Sequence, residues 1–175
     1  QARKQLGLPV DVPIMLFFGI VREYKGLRDI LYAMPAIKAR LGKAILLIAG
    51  EFWEDKRLYL RIIESLGIGD SIVIEDRYIP NEEIPLYFSA ADVLVAPYRH
   101  VTSSAVLKTA QGFGIPIITT ASRDSLEYAE GIFLTDSTSL ADAVVYYFEI
   151  CTSRCSSYQS DPQLSQIRLV DALEQ

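Results

Sequence analysis

The chain has 175 residues, of which 50% are hydrophobic and 22% are charged, and this balance excludes a disordered or fibrous protein. The formal net charge of −5 argues against a nucleic-acid partner, because binding to a phosphate backbone needs a basic surface. With one histidine, two cysteines and no apolar run near the roughly 20 residues that span a bilayer, we expect no histidine-rich metal centre, no disulfide-stapled secreted fold and no membrane span.

Strand-length apolar runs alternate with helical patterns along most of the chain. Residues 1–12 are interpreted as a short helix or linker. Six apolar runs follow, at residues 14–20, 44–49, 71–75, 92–96, 115–119 and 131–134. Helical patterns lie between them at residues 27–41, 54–66, 82–91 and 103–113, and a capping region at 136–139 precedes a last helix that ends near residue 150. Residues 151–175 are predicted to form a C-terminal helix or tail.

Two of the helical patterns carry an apolar stripe that predicts which side is buried. The stripe of the pattern at 27–41 consists of Leu27, Ile30, Leu31, Met34, Ile37 and Leu41. In the pattern at 54–66 the residues in line are Leu58, Ile62 and Leu66, and Gly67 marks the end of the helix.

Repeated alternation of strand and helix predicts βαβ units and therefore an α/β fold. Right-handed crossovers then give a doubly wound parallel sheet of about six strands, Rossmann-like, over residues 13–150. Ligands of such sheets lie beyond the carboxyl ends of the strands. The candidate site residues are therefore sought just after each apolar run.

The first strand is followed by a glycine and two cations. Gly19 permits a tight turn or a close approach of the backbone, and Arg22 and Lys25 come just before a helix begins. Two cations beside free backbone N–H groups suit a diphosphate. The alternative is a solvated charged loop. No G-x-G-x-x-G follows this strand, so the dinucleotide fingerprint is absent.

Further candidate residues follow the later strands. Gly50 leaves room for a ligand ring or for backbone, or is a plain turn glycine. Hydroxyl residues near Ser103 either cap the next helix, with Thr102 or Ser103 as the cap, or donate to a phosphate. His100 has no carboxylate neighbour in sequence, so no catalytic triad is identified. Glu127 either faces the same crevice or lies on a surface helix.

The two cysteines, Cys151 and Cys155, are four residues apart and are predicted to share a helix face with Phe148. Two thiols alone do not make a zinc site, so the simpler interpretation is a pair of buried free cysteines.

Four ordered segments carry a resemblance to a known family. They are residues 16–27 (LFFGIVREYKGL), 46–50 (LLIAG), 77–98 (RYIPNEEIPLYFSAADVLVAPY) and 104–120 (SAVLKTAQGFGIPIITT). Together they resemble the C-terminal, nucleotide-sugar-binding domain of retaining glycosyltransferases of the GT-B architecture, family 4, the glycosyl transferases group 1 domain. The resemblance covers about two thirds of the chain and implies that the sheet is the C-terminal half of a GT-B architecture.

The resemblance assigns roles residue by residue. It implies that Arg22 and Lys25 are the catalytic basic pair that holds the donor diphosphate and stabilises the charge of the leaving group. It further implies a set of residues that bind the donor or its nucleotide: Gly19 and Gly50, the backbone of Tyr78 and Ile79 beside the nucleobase, Ser103 and Ser104 beside the phosphates, and Glu127.

The sequence also departs from the family pattern. Many members carry two glutamates on the helix after the fourth strand, one near the sugar and one on the ribose, and by register Val101 and Thr109 hold those places. Neither side chain accepts ribose hydrogen bonds as a carboxylate would. This departure motivates an alternative, a non-catalytic nucleotide-sugar-binding module. A third hypothesis is half of a sugar-nucleotide epimerase.

The leading hypothesis is the donor-binding domain of a glycosyltransferase that moves a hexose from a nucleoside-diphosphate sugar to a glycan, lipid or other acceptor, with retention, as in polysaccharide biosynthesis. We expect no cofactor and no metal, since the two cations take the metal's place and no Asp-x-Asp pair appears. The partners we expect are the nucleotide-sugar donor and a missing N-terminal acceptor domain of the same enzyme, without which the isolated chain is expected to be inactive. Any membrane association would be peripheral and through that domain, and the expected location is cytoplasmic.

Overall fold

The six apolar runs form one parallel sheet. The computed structural model describes residues 1–99, 104–120, 132–135 and 140–151. The strands are β1 (Ile14–Phe18), β2 (Ile45–Ala49), β3 (Ile72–Glu75), β4 (Val93–Ala96), β5 (Ile117–Thr120) and β6 (Ile132–Thr135). All five neighbouring pairs are parallel, and the strand order is β3-β2-β1-β4-β5-β6. The predicted doubly wound α/β sheet of about six strands is confirmed.

This strand order fixes where a ligand can enter. The chain leaves β1 towards β2 on one side, and β4 pairs with β1 on the other side. The crossovers therefore diverge between β1 and β4, which opens a crevice at the carboxyl ends of these two strands. The loops that follow β1 and β4 border that crevice.

Helices cover both faces of the sheet. They are α1 (Ala2–Gln5), α2 (Leu27–Leu41), α3 (Lys56–Ser65), α4 (Ile84–Ala90), α5 (Ala105–Gly112) and α6 (Leu140–Tyr146), which continues as a π-helical turn, Tyr147–Cys151. Helices α2, α3 and α6 pack on one face of the sheet. Helices α1, α4 and α5 pack on the other. Alternate strand residues point to the two faces, so Met15 and Phe17 belong to the first core and Ile14 and Leu16 to the second.

The stripe predicted for α2 is buried except for Leu41 at its end, which is half-buried, but the stripe predicted for α3 is wrong by one residue. Tyr59 and Ile63 are the buried side chains of α3, and Leu58 is 37% exposed. Tyr59 carries a large ring, and its phenol donates a short hydrogen bond to the Glu54 carboxylate. Burying that ring with its hydroxyl satisfied gains more than burying Leu58, so the helix turns by one position.

The N-terminal segment is tied to the sheet through one arginine. The Arg3 guanidinium donates to the carbonyl of Ala90 at 2.9 Å and to the Asp92 carboxylate at 2.6 Å. The other oxygen of Asp92 accepts from the backbone N–H of Ile14 at 2.7 Å. A single carboxylate therefore joins the helix α1, the first residue of β1 and the loop before β4.

Some predicted features lie outside the described residues: the capping region at 136–139, the tail beyond residue 151, Cys155 and the side chain of Cys151. Phe148, which was expected to share their helix face, is buried. Within the described ranges, no helix is both long and apolar enough to cross a membrane.

We expect Asp92→Ala to lower the free energy of unfolding by about 1–3 kcal/mol, because it removes an acceptor from a charged group and from a buried backbone N–H. Asp70→Ala is the matched control, since Asp70 also meets a cation at 2.6 Å (Lys38) but is 73% exposed. That exposed pair should contribute about 0–1 kcal/mol. Urea unfolding measures both variants, and equal losses would contradict the role given to Asp92.

Candidate functional site

The loops after β1 and β2 remain paired beyond the ends of the strands. Val21 and Phe52 form an isolated parallel bridge, in which the N–H of Val21 donates to the carbonyl of Glu51 at 2.8 Å. Gly50 has a φ of +146°, and a Cβ there would overlap the backbone carbonyl of Gly19. The room that we expected Gly50 to leave is therefore filled by backbone, and its contribution to a ligand site is through Gly19.

A second backbone contact joins the loop after β1 to the end of β4. Gly26, with a φ of +72°, caps the N-terminus of α2, and a Cβ there would overlap the carbonyl oxygen of Pro97. The N–H of Arg99 donates to the carbonyl of Tyr24 at 2.8 Å. The two loops that border the crevice are thus held in contact with each other.

Lys25 lies directly over the end of β1. Its side chain is half-buried, and a Cβ at Gly19 would stand 3.1 Å from the Lys25 Nζ. The same ammonium lies 5.8 Å from the centre of the Tyr98 ring, which is buried at the end of β4. Because Gly19 has no side chain, the ammonium can sit above the backbone of the crevice.

The helix α5 begins beside this ammonium. The Val106 side chain would stand 3.5 Å from a Cβ at Gly19, so the first turn of α5 faces the end of β1. Ser104 is the N-cap, and its hydroxyl accepts from the N–H of Leu107 at 3.4 Å. The capping residue is thus Ser104 and not Thr102 or Ser103. The free N–H groups at a helix N-terminus attract anions.

Arg22 belongs to the same loop and contacts the loop after β2. Its side chain is exposed, and its guanidinium carbon lies 4.5 Å from the centre of the Trp53 ring. The pair borders an open cavity of about 570 Å³, lined by Arg22, Glu23, Tyr24, Trp53, Glu54 and Arg99. The cavity therefore joins the loops that follow β1, β2 and β4.

Neither candidate cation is neutralised. Within the described parts of the chain, the side chains of Arg22 and Lys25 make no ion pair and no hydrogen bond, whereas Arg99 nearby pairs with Asp29 at 3.2 Å. Burial, and then the charge of Arg22, hold the pKa of Lys25 below its ordinary value of 10.5. Two neighbouring cations that have no carboxylate partner in the described ranges create a local positive potential, which favours an anion.

The loop after β3 is held by an arginine network. The Arg77 guanidinium donates to the carboxylates of Glu75, at 2.6 Å, and Glu83, and to the phenol of Tyr87 at 3.0 Å. This guanidinium holds the pKa of Glu83 below its ordinary value. It also donates to the carbonyl of Tyr78 at 3.3 Å, which links the Arg77 side chain to the backbone of the loop after β3.

The predicted site residues are only partly together. Gly19, Arg22, Lys25, Gly50 and Ser104 meet around the ends of β1, β2 and β4. Tyr78 (65% exposed) and Ile79 (buried) follow β3, two strands away from β1. Ser103, Glu127, His100 and Val101 lie outside the described residues. Thr109 donates its hydroxyl to the carbonyl of Ala105 within α5.

Three residues at the carboxyl edge of the sheet were not predicted from the sequence, namely Gly26, Trp53 and Tyr98. A signal for one of them was present: Trp53 is the only tryptophan of the chain and follows a strand by four residues. The contacts of Gly26 and Tyr98 depend on the pairing of β4 with β1, which no local pattern specifies.

Together, the strand order and the position of the crevice define a doubly wound α/β ligand-binding domain. The chain belongs to the glycosyl transferases group 1 family, whose model matches residues 12–149.

Individual relatives agree with this assignment. The chain is 34% identical, over 130 residues, to D-inositol 3-phosphate glycosyltransferase 1 of Catenulispora acidiphila; the match covers 69% of this chain and 31% of that protein. Its fold is similar to sucrose-phosphate synthase of Thermosynechococcus elongatus (TM-score 0.73, 26% identity, 86% of this chain and 40% of the other). It is also similar in fold to Alr3699/HepE of Anabaena, solved with UDP (TM-score 0.71, 18% identity, 84% and 42%). The chain spans about a third of the length of the curated relatives that it matches.

No cluster of three or more histidine, cysteine, aspartate or glutamate side chains is arranged to hold a metal ion in the part of the chain that the structure describes.

We expect Gly26→Ala to lower the free energy of unfolding more than Gly67→Ala. Gly67 has a similar φ (+62°), but a Cβ there meets nothing within 4 Å, so its cost is the left-handed backbone alone, about 1–2 kcal/mol. At Gly26 the overlap with Pro97 adds to that cost. Urea unfolding of the two variants measures the difference, and equal losses would mean that the contact between the loops contributes nothing.

Proposed function

We propose that this chain is the donor-binding part of a glycosyltransferase that moves a hexose from a nucleoside-diphosphate sugar to an acceptor, with retention of the anomeric configuration. The observation that carries the proposal is that Arg22 and Lys25, at the carboxyl edge of the sheet, have no ion-pair partner among the residues that the structure describes. A diphosphate there would receive the guanidinium, the ammonium and the free N–H groups of α5.

The chemistry of transfer needs such a site. When the bond between the anomeric carbon and the diphosphate breaks, negative charge grows on the leaving phosphate. Cations that are already in position stabilise that charge more strongly than the charge of the intact donor, and so they lower the barrier. Lys25 and Arg22 supply this charge in the proposal, in the role that a metal ion has in other transferases.

The dimensions of the edge are consistent with a nucleotide. Neighbouring strands lie about 4.8 Å apart, so the end of β3 is about 10 Å from the end of β1. A nucleoside diphosphate spans a similar length between its base and its terminal phosphate. With the diphosphate at β1, the base would reach the backbone of Tyr78 and Ile79, which Arg77 fixes. The similarity in fold to the Anabaena protein solved with UDP supports the same ligand class.

One observation favours a second candidate, a module that binds a nucleotide sugar without transferring the sugar. No acidic residue lies on α5, and the Thr109 hydroxyl is engaged with the Ala105 carbonyl at 2.8 Å. Without a carboxylate on this helix, the ribose and the sugar need other partners. Turnover by the full-length protein separates the two candidates, since both require the diphosphate site.

The acceptor is the other half of the reaction. Because the chain spans about a third of its curated relatives, we propose that an N-terminal domain supplies the acceptor site and that this chain alone releases no nucleotide from a sugar donor. An assay of nucleotide release from UDP-glucose, GDP-mannose and ADP-glucose, with this chain and with the full-length protein, tests that division.

The binding test uses the single tryptophan as a reporter. Trp53 contacts Arg22, so a diphosphate that binds Arg22 should change the fluorescence of Trp53. UDP, GDP and ADP are titrated in turn, in EDTA, and calorimetry provides an independent affinity. If none of the three binds to the folded chain, the proposed function is wrong.

We expect Arg22→Ala and Lys25→Ala each to weaken binding of the nucleoside diphosphate by about 1.5–3 kcal/mol, the range for hydrogen bonds to charged groups. Lys43→Ala is the matched control: it removes the same charge from the opposite edge of the sheet, just before β2. Calorimetry gives the three affinities, and urea unfolding gives the stability of each variant. A uniform loss in all three would indicate general attraction of an anion and not a site.

The affinity should also depend on alkaline pH through Lys25. The pKa of Lys25 in the free chain is below 10.5, and a bound diphosphate stabilises the ammonium and raises that pKa again. Binding therefore takes up a proton between these two values, and the affinity falls as pH rises through that window. In Lys25→Arg the added guanidinium stays charged, so the fall should disappear. Both proteins are titrated with the same nucleotide, so that its own ionisation cancels. Identical pH profiles would exclude Lys25 from the contact.

A further inference from the structure

We infer that Trp53 is a positioning residue, which holds the Arg22 guanidinium by its flat face and so leaves the N–H edge of that group free for the diphosphate. The inference rests on the proposed function and extends it to a residue outside the four segments that carry the resemblance.

The backbone places the two side chains next to each other. The bridge between Val21 and Phe52 aligns the residues that follow, and the N–H of Trp53 donates to the carbonyl of Val21 at 3.3 Å. Arg22 and Trp53 are therefore adjacent across two neighbouring loops. Their separation of 4.5 Å, from guanidinium carbon to ring centre, is a close cation–π contact.

The cation–π contact leaves the N–H donors of the guanidinium free, whereas an ion pair occupies them. A guanidinium donates hydrogen bonds only in its own plane, along its edge, whereas an aromatic ring attracts it through its face. The Arg57 guanidinium shows the opposite arrangement. Its Nε donates to the Asp55 carboxylate at 2.9 Å, and one of its terminal nitrogens donates to the same carboxylate at 3.0 Å. A carboxylate at Trp53 would fix Arg22 equally well, but it would occupy the donors and cancel the charge.

Packing in the hydrophobic core does not account for the presence of a tryptophan at position 53. Trp53 is 58% exposed, while its neighbour Phe52 packs on the Tyr59 ring at 5.4 Å and supplies the apolar contact of this loop. The exposed indole therefore adds little to the hydrophobic core. Among the described residues, its ring contacts the Arg22 guanidinium. A side chain of that kind fits a role in the site better than a role in stability.

The test compares variants that remove or keep the aromatic face. Trp53→Leu and Trp53→Gln remove it, and Trp53→Phe keeps a smaller one. Tyr32→Leu is the control, because Tyr32 is a similarly exposed aromatic side chain (60%) on α2. For each variant, calorimetry measures the Kd of whichever of UDP, GDP and ADP binds the unchanged chain, and urea unfolding confirms equal stability.

We expect Trp53→Leu and Trp53→Gln to raise the Kd about two- to fivefold, the effect of losing an exposed cation–π contact. Trp53→Phe should recover most of this loss, and Tyr32→Leu should leave the Kd unchanged. In an Arg22→Ala background, Trp53→Leu should have no further effect, because the indole then has no guanidinium to hold.

The outcomes distinguish a failure of the proposed function from a failure of the role given to Trp53. If Arg22→Ala leaves the Kd unchanged, the proposed function fails and this inference fails with it. If Arg22→Ala weakens binding but Trp53→Leu does not, only the inference is overturned. If the losses of Arg22→Ala and Trp53→Leu add fully in the double variant, Trp53 contacts the nucleotide by itself and the positioning role is overturned.

Discussion

The candidate site depends on two places where backbone meets backbone at the carboxyl edge of the sheet. Gly50 packs on the carbonyl of Gly19, and Gly26 packs on the carbonyl of Pro97. The first contact joins the loops after β1 and β2, and the second joins the loops after β1 and β4. Because no side chain intervenes, three loops converge on the crevice where the crossovers diverge. The backbone contacts hold these loops together, and the side chains of the candidate site do not.

Two cations without an ion-pair partner among the described residues lie on this frame. The sequence has 22 acidic residues against 17 lysines and arginines, and partners are available on most of the surface. Arg3, Lys38, Arg40, Lys56, Arg57, Arg77 and Arg99 all pair with carboxylates. Arg22 and Lys25 have no such partner among the described residues, and each contacts an aromatic ring, as Arg28 does at Tyr59. The site therefore keeps its positive charge inside an acidic protein, and burial of Lys25, followed by the charge of Arg22, lowers the pKa of Lys25.

Local patterns in the sequence predicted the elements well and their faces less well. The six strands and the helix α2 follow from apolar runs and helical spacing, since these patterns record burial directly. The face of α3 was wrong because Tyr59 combines a buried ring with a polar end, and hydrophobic spacing alone does not weigh the Glu54 carboxylate that satisfies it. Arg22, Lys25 and Gly19 could be found because they are close in sequence. Gly26 and Trp53 were missed because their partners, Pro97 and Arg22, are known only after the loops are assembled in space.

The lack of a carboxylate on α5 contrasts with the loop after β3, where two carboxylates surround an arginine. The helix α5 has no acidic side chain that could accept hydrogen bonds from the hydroxyl groups of a ligand. The loop after β3, by contrast, is fixed by Arg77, which joins Glu75, Glu83 and Tyr87 around the Tyr78 carbonyl. A backbone group that is already held in place loses less conformational entropy when a ligand binds it. Under the proposed function, the loop after β3 would contact the nucleobase and the cations after β1 would hold the diphosphate.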